Sequence, residues 1–133
     1  MTLKEYFTDT DGLGVLATAD GSGRVNTAIY ARPHVVDENT VAFIMAERLT
    51  HANLDTNPHA SFLFKEAGEG YQGKRLHLSK MWEEKDSDLL HEIRRSPACE
   101  VEQGRYLVFF NVDKVLPLVG AGVEESAAEV AHA

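Results

Sequence analysis

The chain has 133 residues, one cysteine and a formal net charge of −8, which results from 13 basic and 21 acidic side chains. A chain of this length can bury a core as one domain without disulfides or metals, and a lone cysteine excludes a disulfide within the chain. The acidic balance argues against a surface that binds nucleic acid, and no apolar run is long enough to cross a membrane. We therefore expect a cytoplasmic protein that binds neither nucleic acid nor a membrane.

The first part of the chain predicts a short helix followed by a β-hairpin. Apolar residues at Leu3, Tyr6 and Phe7 have helical spacing, and the sequence DTDG ends this helix. Residues 14–18 and 25–30 are apolar segments separated by the turn-forming sequence DGSG, which predicts two strands joined as a hairpin. We expect the short segment after Arg32-Pro33, HVV, to extend the second of these strands.

The central stretch, TVAFIMAERLTHANLDTNP at residues 40–58, is the segment around which the other elements are arranged. Residues 41–45 form a nearly continuous apolar run, which predicts a strand buried on both faces. Thr50 is predicted to be the N-cap of a short helix over residues 51–56, because its hydroxyl can accept a hydrogen bond from an unpaired backbone N–H. The Asn-Pro pair that ends the stretch also ends this helix.

The junction between this strand and this helix predicts an anion site. The free N–H groups and the dipole of a helix N-terminus attract anions, and Arg48 adds a fixed cation with planar donors. Phosphate is the obvious ligand for such a junction. On local spacing alone the alternative is favoured, namely a capped surface helix whose arginine is merely solvated.

Three further strands follow the central helix. Residues 59–65 alternate apolar and polar side chains, and residues 71–79 do so after a glycine-containing turn. The apolar sequence YLVFFNV at residues 106–112 predicts the last strand, which residues 113–119 prolong past a bend near Pro117.

Between the last two strands, residues 81–95 change from strand to helix periodicity. Their apolar side chains fall on one stripe among charged residues, which predicts an amphipathic helix that covers the sheet; the stripe is Trp82, Leu89, Leu90 and Ile93. Six strands with short connections favour an antiparallel meander, and closure of the sheet into a small barrel would remove exposed edges. Residues 120–133 have no aromatic side chain, and we expect a flexible tail there.

Three stretches of the sequence carry a resemblance to a known family: GVLATADGSGRVNTAIY, VAFIMAERLTHANLDTNPHASFLF and YQGKRLHLS. Together with the order of the elements, they resemble the pyridoxamine 5′-phosphate oxidase-like, FMN-binding split-barrel superfamily, in particular its small single-domain members. The second stretch is the most specific, because a buried strand, a Thr-x-x-Asn-Leu-x-x-Asn-Pro helix and another apolar strand are typical of that family. The resemblance implies that residues 1–119 are an FMN-binding, mainly β domain: a six-stranded antiparallel split barrel with one short inserted helix and one covering amphipathic helix.

The resemblance also implies a homodimer with two FMN sites at the subunit interface, and an oxidoreductase or electron-transfer activity whose substrate the sequence does not name. In members of the family the phosphate is held just after the third strand. In this chain that position points to Arg48 and Thr50 for the phosphate, with backbone N–H groups from Glu47 and Leu49.

The isoalloxazine ring of FMN is implied to lie along the second strand. This places Asn26, Thr27 and Ala28 against the ring, and the backbone of Met45 and Ala46 along its polar edge. Because the flavin carries the redox chemistry, no catalytic side chain is assigned. A reduced nicotinamide and a protein both remain open as the electron donor.

One position departs from the family pattern. Many members have a lysine or arginine directly before the threonine of the central helix, where this chain has Leu49, so one phosphate charge is missing. Lys74 and Arg75 on the fifth predicted strand are further phosphate candidates, and Arg48 or His51 is another source of charge. The departure motivates an alternative function, a binding or sensing dimer that keeps the barrel with a weakened flavin site and no catalysis.

The other reactive side chains give weaker indications. No two of the six histidines have the i, i+4 spacing of a compact helical metal site, and we assign no metal. His59 and His77 are expected on neighbouring strands, and because some members of the family bind haem, a haem-linked protein is a further alternative. Cys99 is interpreted as a small packed residue.

Overall fold

Seven strands and three helices are formed by residues 1–93 and 105–120, which are the part of the chain that the computed structural model describes. The elements, in chain order, are α1 (Leu3–Asp9), β1 (Gly12–Ala19), β2 (Val25–Tyr30), β3 (His34–Asp37), β4 (Thr40–Met45), α2 (Leu49–Thr56), β5 (His59–Glu66), β6 (Gly73–Lys85), α3 (Asp88–Ile93) and β7 (Tyr106–Pro117). None of these helices is long and apolar enough to cross a membrane. The mainly β fold class predicted from the sequence is confirmed.

All strand pairs are antiparallel and form one sheet in the order β2-β1-β5-β6-β7-β4-β3. The predicted hairpin of β1 and β2 is present, but the meander does not continue beyond it. After β4 the chain passes through α2 and returns to the other side of β1, where β5 pairs. The sheet therefore has seven strands rather than six, and pairings between distant segments determine their order.

The additional strand is β3, and the prediction that this segment extends β2 is wrong. The segment after Pro33 pairs with β4 instead, with His34 opposite Ala42 and Val35 opposite Val41. Since proline cannot donate a ladder hydrogen bond, the chain leaves the first hairpin at this point. As a result β2 and β3 lie at opposite edges of the sheet.

The inner face of the sheet encloses the main core. Alternate residues of the central strands point inward, as the period of two in a strand requires, and α1 packs three apolar side chains against them. The largest fully buried members are Phe62, Phe64, Phe110, Leu16, Met45, Leu76 and Leu78.

The strand β4 is buried on both faces, as its continuous apolar sequence predicts. Val41, Phe43 and Met45 belong to the main core. The opposite face carries Ala42 into a second cluster with side chains of β7 and α3, against which Ile44 packs.

The predicted amphipathic helix over residues 81–95 is wrong in its first half. There β6 continues to Lys85 and pairs with β7, which places Trp82 opposite Phe109. The two rings stack with centroids 4.4 Å apart, a contact that the helix would not provide. Asp88–Ile93 is helical, whereas residues 94 and 95 of the predicted helix, together with Cys99, lie outside the described residues.

Candidate functional site

A cleft of about 490 Å³ lies between β2 and the start of α2. Its volume falls within the range of about 300–1,000 Å³ that is common for small-molecule sites. The lining side chains come from β2, the end of β4, the start of α2 and the residue before β7: Asn26, Thr27, Ala28, Ile29, Tyr30, Ala31, Ile44, Ala46, Arg48, Leu49, Thr50 and Arg105.

Seven residues that the resemblance assigned to the cofactor line this one cleft. They come from two separate segments of the sequence: Asn26, Thr27, Ala28, Ala46, Arg48, Leu49 and Thr50. The structure therefore brings together the segment assigned to the ring and the segment assigned to the phosphate. The side chain of Met45 points into the core instead and is 1% exposed.

Thr50 links the two sides of the cleft, although not as the predicted N-cap. The helix α2 starts at Leu49, and its N-cap is Arg48, which makes no side-chain capping hydrogen bond. Thr50 is thus inside the first turn and is buried. Its hydroxyl oxygen accepts a long hydrogen bond of 3.5 Å from Nδ2 of Asn26 on β2.

Tyr30 also lines the cleft, although no role was predicted for it from the sequence. Its ring packs edge-to-face on Phe43, with centroids 5.8 Å apart. Burial raises the pKa of Tyr30, and the nearby hydroxyl of Thr50 and the positive charges of Arg105 and Arg48 oppose this rise. The phenol is therefore neutral at physiological pH, and both arginines lie near enough to affect it.

Five of the cleft residues were not assigned from the sequence, and two of them, Tyr30 and Arg105, differ in whether a sequence pattern could have identified them. Asn26, Ala28 and Tyr30 occupy alternate positions of β2 and share its more buried face, so the period of two could have identified Tyr30. Arg105 reaches the cleft because β7 pairs with β4, with Tyr106 opposite Met45. No local pattern predicts this pairing.

The predicted phosphate candidates on β6 do not line the cleft within one chain. Lys74 and Arg75 are successive strand residues, so their side chains lie on opposite faces of the sheet. The Lys74 ammonium lies 4.8 Å from the ring centroid of Tyr6. Arg75 donates from Nε to the carbonyl of Pro117 at 2.9 Å and from Nη2 to the carbonyl of Gly120 at 2.6 Å.

His51 is fixed in a polar network beside the cleft, so it cannot serve as a mobile phosphate ligand. Its Nδ1 lies 3.1 Å from a carboxylate oxygen of Glu47, and its Nε2 lies 2.9 Å from one of Glu83. The imidazole stacks on Tyr106 with centroids 4.0 Å apart. Both ring nitrogens of His51 therefore have a carboxylate oxygen within hydrogen-bonding distance.

The two carboxylates have additional partners. Tyr106 donates to Glu47 at 2.7 Å, and Lys80 donates to Glu83 at 2.8 Å. The hydrogen bond from Tyr106, followed by that from His51, lowers the pKa of Glu47. Burial raises the pKa of Glu83, but the hydrogen bonds from Lys80 and His51 outweigh burial and lower it overall. The resemblance assigned only the backbone N–H of Glu47 to the phosphate. The structure shows that the carboxylate of Glu47 belongs to this network, which holds the start of α2.

A second groove, of about 560 Å³, lies on the outer face of β1, β5 and β6. It contains both His59 and His77, the pair considered for haem. Nδ1 of His59 lies 3.2 Å from the hydroxyl of Ser79, which donates to Asp113 at 2.5 Å. Within residues 1–93 and 105–120, no group of three histidine, cysteine or acidic side chains is close enough to hold a metal ion.

The comparisons with known proteins identify the fold. No family model matches the chain, and no curated protein matches it in sequence. An FMN-binding protein from Syntrophomonas wolfei is similar in structure with a TM-score of 0.74 and 16% identity, over 90% of this chain and 85% of that one. HupZ from Group A Streptococcus follows with a TM-score of 0.68 and 15% identity, over 87% and 90% of the two chains.

A third similar structure is that of a pyridoxamine 5′-phosphate oxidase homologue from Lactobacillus delbrueckii. Its TM-score is 0.61 at 16% identity, and the similarity covers 83% of this chain and 86% of that one. These similarities cover nearly the whole length of each protein. The chain therefore has the same fold as these three proteins, in agreement with the fold that the sequence resemblance implies.

Proposed function

We propose that this chain is an FMN-binding flavoprotein that acts as an oxidoreductase or electron-transfer protein. The observation that carries the proposal is the single cleft in which the edge of β2 meets the cationic start of α2. An elongated ligand with a polar ring at one end and a phosphate at the other matches these two chemically different walls. The FMN-binding protein with the same fold supports this choice of ligand.

The residues of the cleft suit the two ends of FMN. Asn26 and the edge of β2 offer amide and backbone groups to the polar rim of the ring, while Arg48 and the first N–H groups of α2 suit the phosphate. When bound, the flavin supplies the hydride or single-electron chemistry. The protein binds and orients it and excludes water from one of its faces.

A titration with FMN tests the proposal. We expect flavin absorbance between about 300 and 550 nm to remain with the protein after desalting. Arg48→Ala should weaken FMN binding by about tenfold or more, because a charge-assisted contact to the phosphate is lost. Lys4→Ala removes the same charge from an exposed position of α1 and should leave affinity unchanged. Protein that stays colourless with excess FMN would refute the proposal.

We further propose that the protein is a homodimer whose interface covers the outer face of β1, β2 and β5. Four residues there are large, apolar and exposed: Val25 at 74%, Ile29 at 72%, Leu13 at 51% and Leu63 at 38%. Val15 of β1 lies between Ile29 and Leu63, so the patch is continuous across the three strands. Ile29 also lines the cleft, so a second copy on this face would border the flavin.

Light scattering on the purified protein tests the dimer. We expect the wild type to have twice the mass of one chain. The double variant Val25→Lys, Leu63→Lys should be a monomer, because desolvating two ammonium groups is costly. Val36→Lys changes a residue that is 45% exposed on β3, and it should leave the dimer intact. A monomeric wild type at micromolar concentration would contradict the proposal.

A further inference from the structure

A recess of about 580 Å³ lies between α1, the segment that joins β2 to β3, and the end of α3. None of its described lining residues borders the cleft between β2 and α2. None of them is acidic either, although the whole chain has a net charge of −8. The lining includes the basic side chains of Lys4, Arg32 and His34 and the apolar ones of Phe7, Pro33 and Ile93. This basic recess favours an anionic ligand.

Arg32 is held in place by backbone groups beside the recess. Its Nη1 atom donates to the carbonyl of Phe7 at 3.0 Å and to that of Thr10 at 2.9 Å. The same atom lies 3.5 Å from a carboxylate oxygen of Asp11, whose side chain is 89% exposed, so this ion pair is weak. Within the described part of the chain, the Nε and Nη2 atoms of Arg32 have no partner, and they can donate to a ligand.

His34 and Lys4 add two further donors. Burial, followed by the charge of Lys4, lowers the pKa of His34, while the charge of Glu92 opposes this change. The imidazole is therefore neutral at physiological pH and has one N–H group to donate. Among residues 1–93 and 105–120, neither the ring of His34 nor the ammonium of Lys4 has a hydrogen-bond partner. Both groups are available to an anion in the recess.

A smaller, apolar pocket of about 180 Å³ lies between the basic recess and the cleft. The lining residues that it shares with the recess are Arg32, His34 and Ile93. Those that it shares with the cleft are Tyr30, Ala31 and Ile44. The three cavities therefore lie in a row.

The strand β4 forms a wall of this apolar pocket. In the pairing of β3 with β4, His34 lies opposite Ala42, so the two side chains are on the same face of the sheet. Ile44 follows on that face two positions later, about 7 Å along the strand. There it lies opposite Leu107, which is completely buried. A ligand whose polar head group contacts His34 would thus have an apolar wall beside the rest of its length.

We propose that the basic recess and the apolar pocket together bind an aliphatic carboxylate, with its head group between Arg32 and His34 and its chain along β4 towards the cleft. A monoanionic head group suits the recess, because part of the guanidinium is already paired with protein groups. The apolar pocket excludes a second charged group farther along the ligand. This inference rests on the proposed function in one respect, since it names the class of molecule whose far end would meet the bound flavin.

Nuclear magnetic resonance titrations of the isotope-labelled full chain with sodium hexanoate and with hexanol test the site. We expect saturable shifts of the backbone amides of His34, Ala42 and Ile44. Hexanoate should bind at least about tenfold more tightly than hexanol, because only the carboxylate accepts charge-assisted hydrogen bonds. Acetate, which has no chain to bury, should bind about tenfold more weakly than hexanoate.

Two variants locate the head group. Arg32→Gln should weaken hexanoate binding by about tenfold and change hexanol binding by less than about threefold. Arg75→Gln is the matched control, because Arg75 also donates to two backbone carbonyls but does not line the recess. His34→Glu places a negative charge beside the head group and should likewise weaken the binding of hexanoate alone. Circular dichroism and the melting temperature of each variant establish that it is folded before affinities are compared.

The titrations need no flavin, so their result is independent of the proposed function. Equal affinity for hexanoate and hexanol, or hexanoate binding that neither variant weakens, would overturn the carboxylate site. Protein that binds hexanoate but not FMN would support this site while the proposed function fails. With FMN bound, octanoate should also shift the flavin absorbance, and acetate should not. An unchanged flavin spectrum with octanoate bound would overturn the direction assigned to the chain.

Discussion

Phe62→Ala is expected to lower the free energy of unfolding by about 3–5 kcal/mol, the usual cost of truncating a buried phenylalanine. Phe62 is completely buried at the centre of the inner face of the sheet. Its ring packs against Phe43 with centroids 5.0 Å apart and against Phe7 at 6.2 Å. Truncation therefore removes contacts to both β4 and α1, and urea denaturation measures the loss.

The surroundings of Phe62 are shaped to fit its ring. A Cβ atom on Gly14 would lie 2.5 Å from Cζ of Phe62, so the glycine leaves room for the ring. The backbone of a central strand cannot move far into the space that truncation creates, which keeps the cost high. Tyr71→Ala is the matched control, because Tyr71 is an aromatic residue that is 76% exposed. Similar losses for both variants would contradict this account of the core.

Local patterns in the sequence predict most of the strands but only two of the cleft residues, Arg48 and Thr50. The other assigned cleft residues were implied by the family resemblance: Asn26, Thr27, Ala28, Ala46 and Leu49. The alternation in β5 and the continuous apolar run of β4 each reflect burial that the strand itself determines. Arg48 and Thr50 were found for a similar reason, since they follow a strand at the start of a helix. Such signals arise from residues that are close together along the chain, so the sequence alone is enough to detect them.

The features that were missed depend on contacts between distant residues. Trp82 lies in a segment with helical spacing, yet it extends β6 because Phe109 is available opposite it. Arg105 joins the cleft only because β7 pairs with β4. Tertiary pairing overrides local propensity at both positions, and a single sequence does not record which strand lies beside which.

His51→Ala is expected to reduce both the stability of the barrel and its affinity for FMN. His51 is 4% exposed, stacks on Tyr106 and has its two ring nitrogens within hydrogen-bonding distance of carboxylates of Glu47 and Glu83. Removing the ring leaves a cavity and two carboxylates without their shared partner. Because both carboxylates keep contact with water, we expect a loss of about 2–4 kcal/mol in the free energy of unfolding rather than the larger cost of breaking a fully buried pair.

The effect on FMN follows from the position of the network. Glu47 directly precedes Arg48, and His51 directly follows Thr50, so the network holds the turn that presents both to the cleft. When this turn loosens, phosphate contacts are formed at an additional entropic cost, and we expect FMN affinity to fall several-fold. Fluorescence titration under conditions in which the variant is fully folded measures this loss. His59→Ala, which removes an exposed imidazole with one hydrogen bond to Ser79, is the control.

The same network predicts the response of stability to acid. The pKa values of Glu47 and Glu83 are lowered from 4.5 in the folded protein, so their contribution is present above that value and is lost as the pH falls through the lower folded values. His51→Ala removes one cause of both shifts, so stability should decline less steeply with acid than in the wild type. Equal steepness in urea titrations between about pH 5 and pH 3 would show that His51 does not stabilise the charged carboxylates. Unchanged FMN affinity in a destabilised variant would show that the network supports the barrel without positioning Arg48.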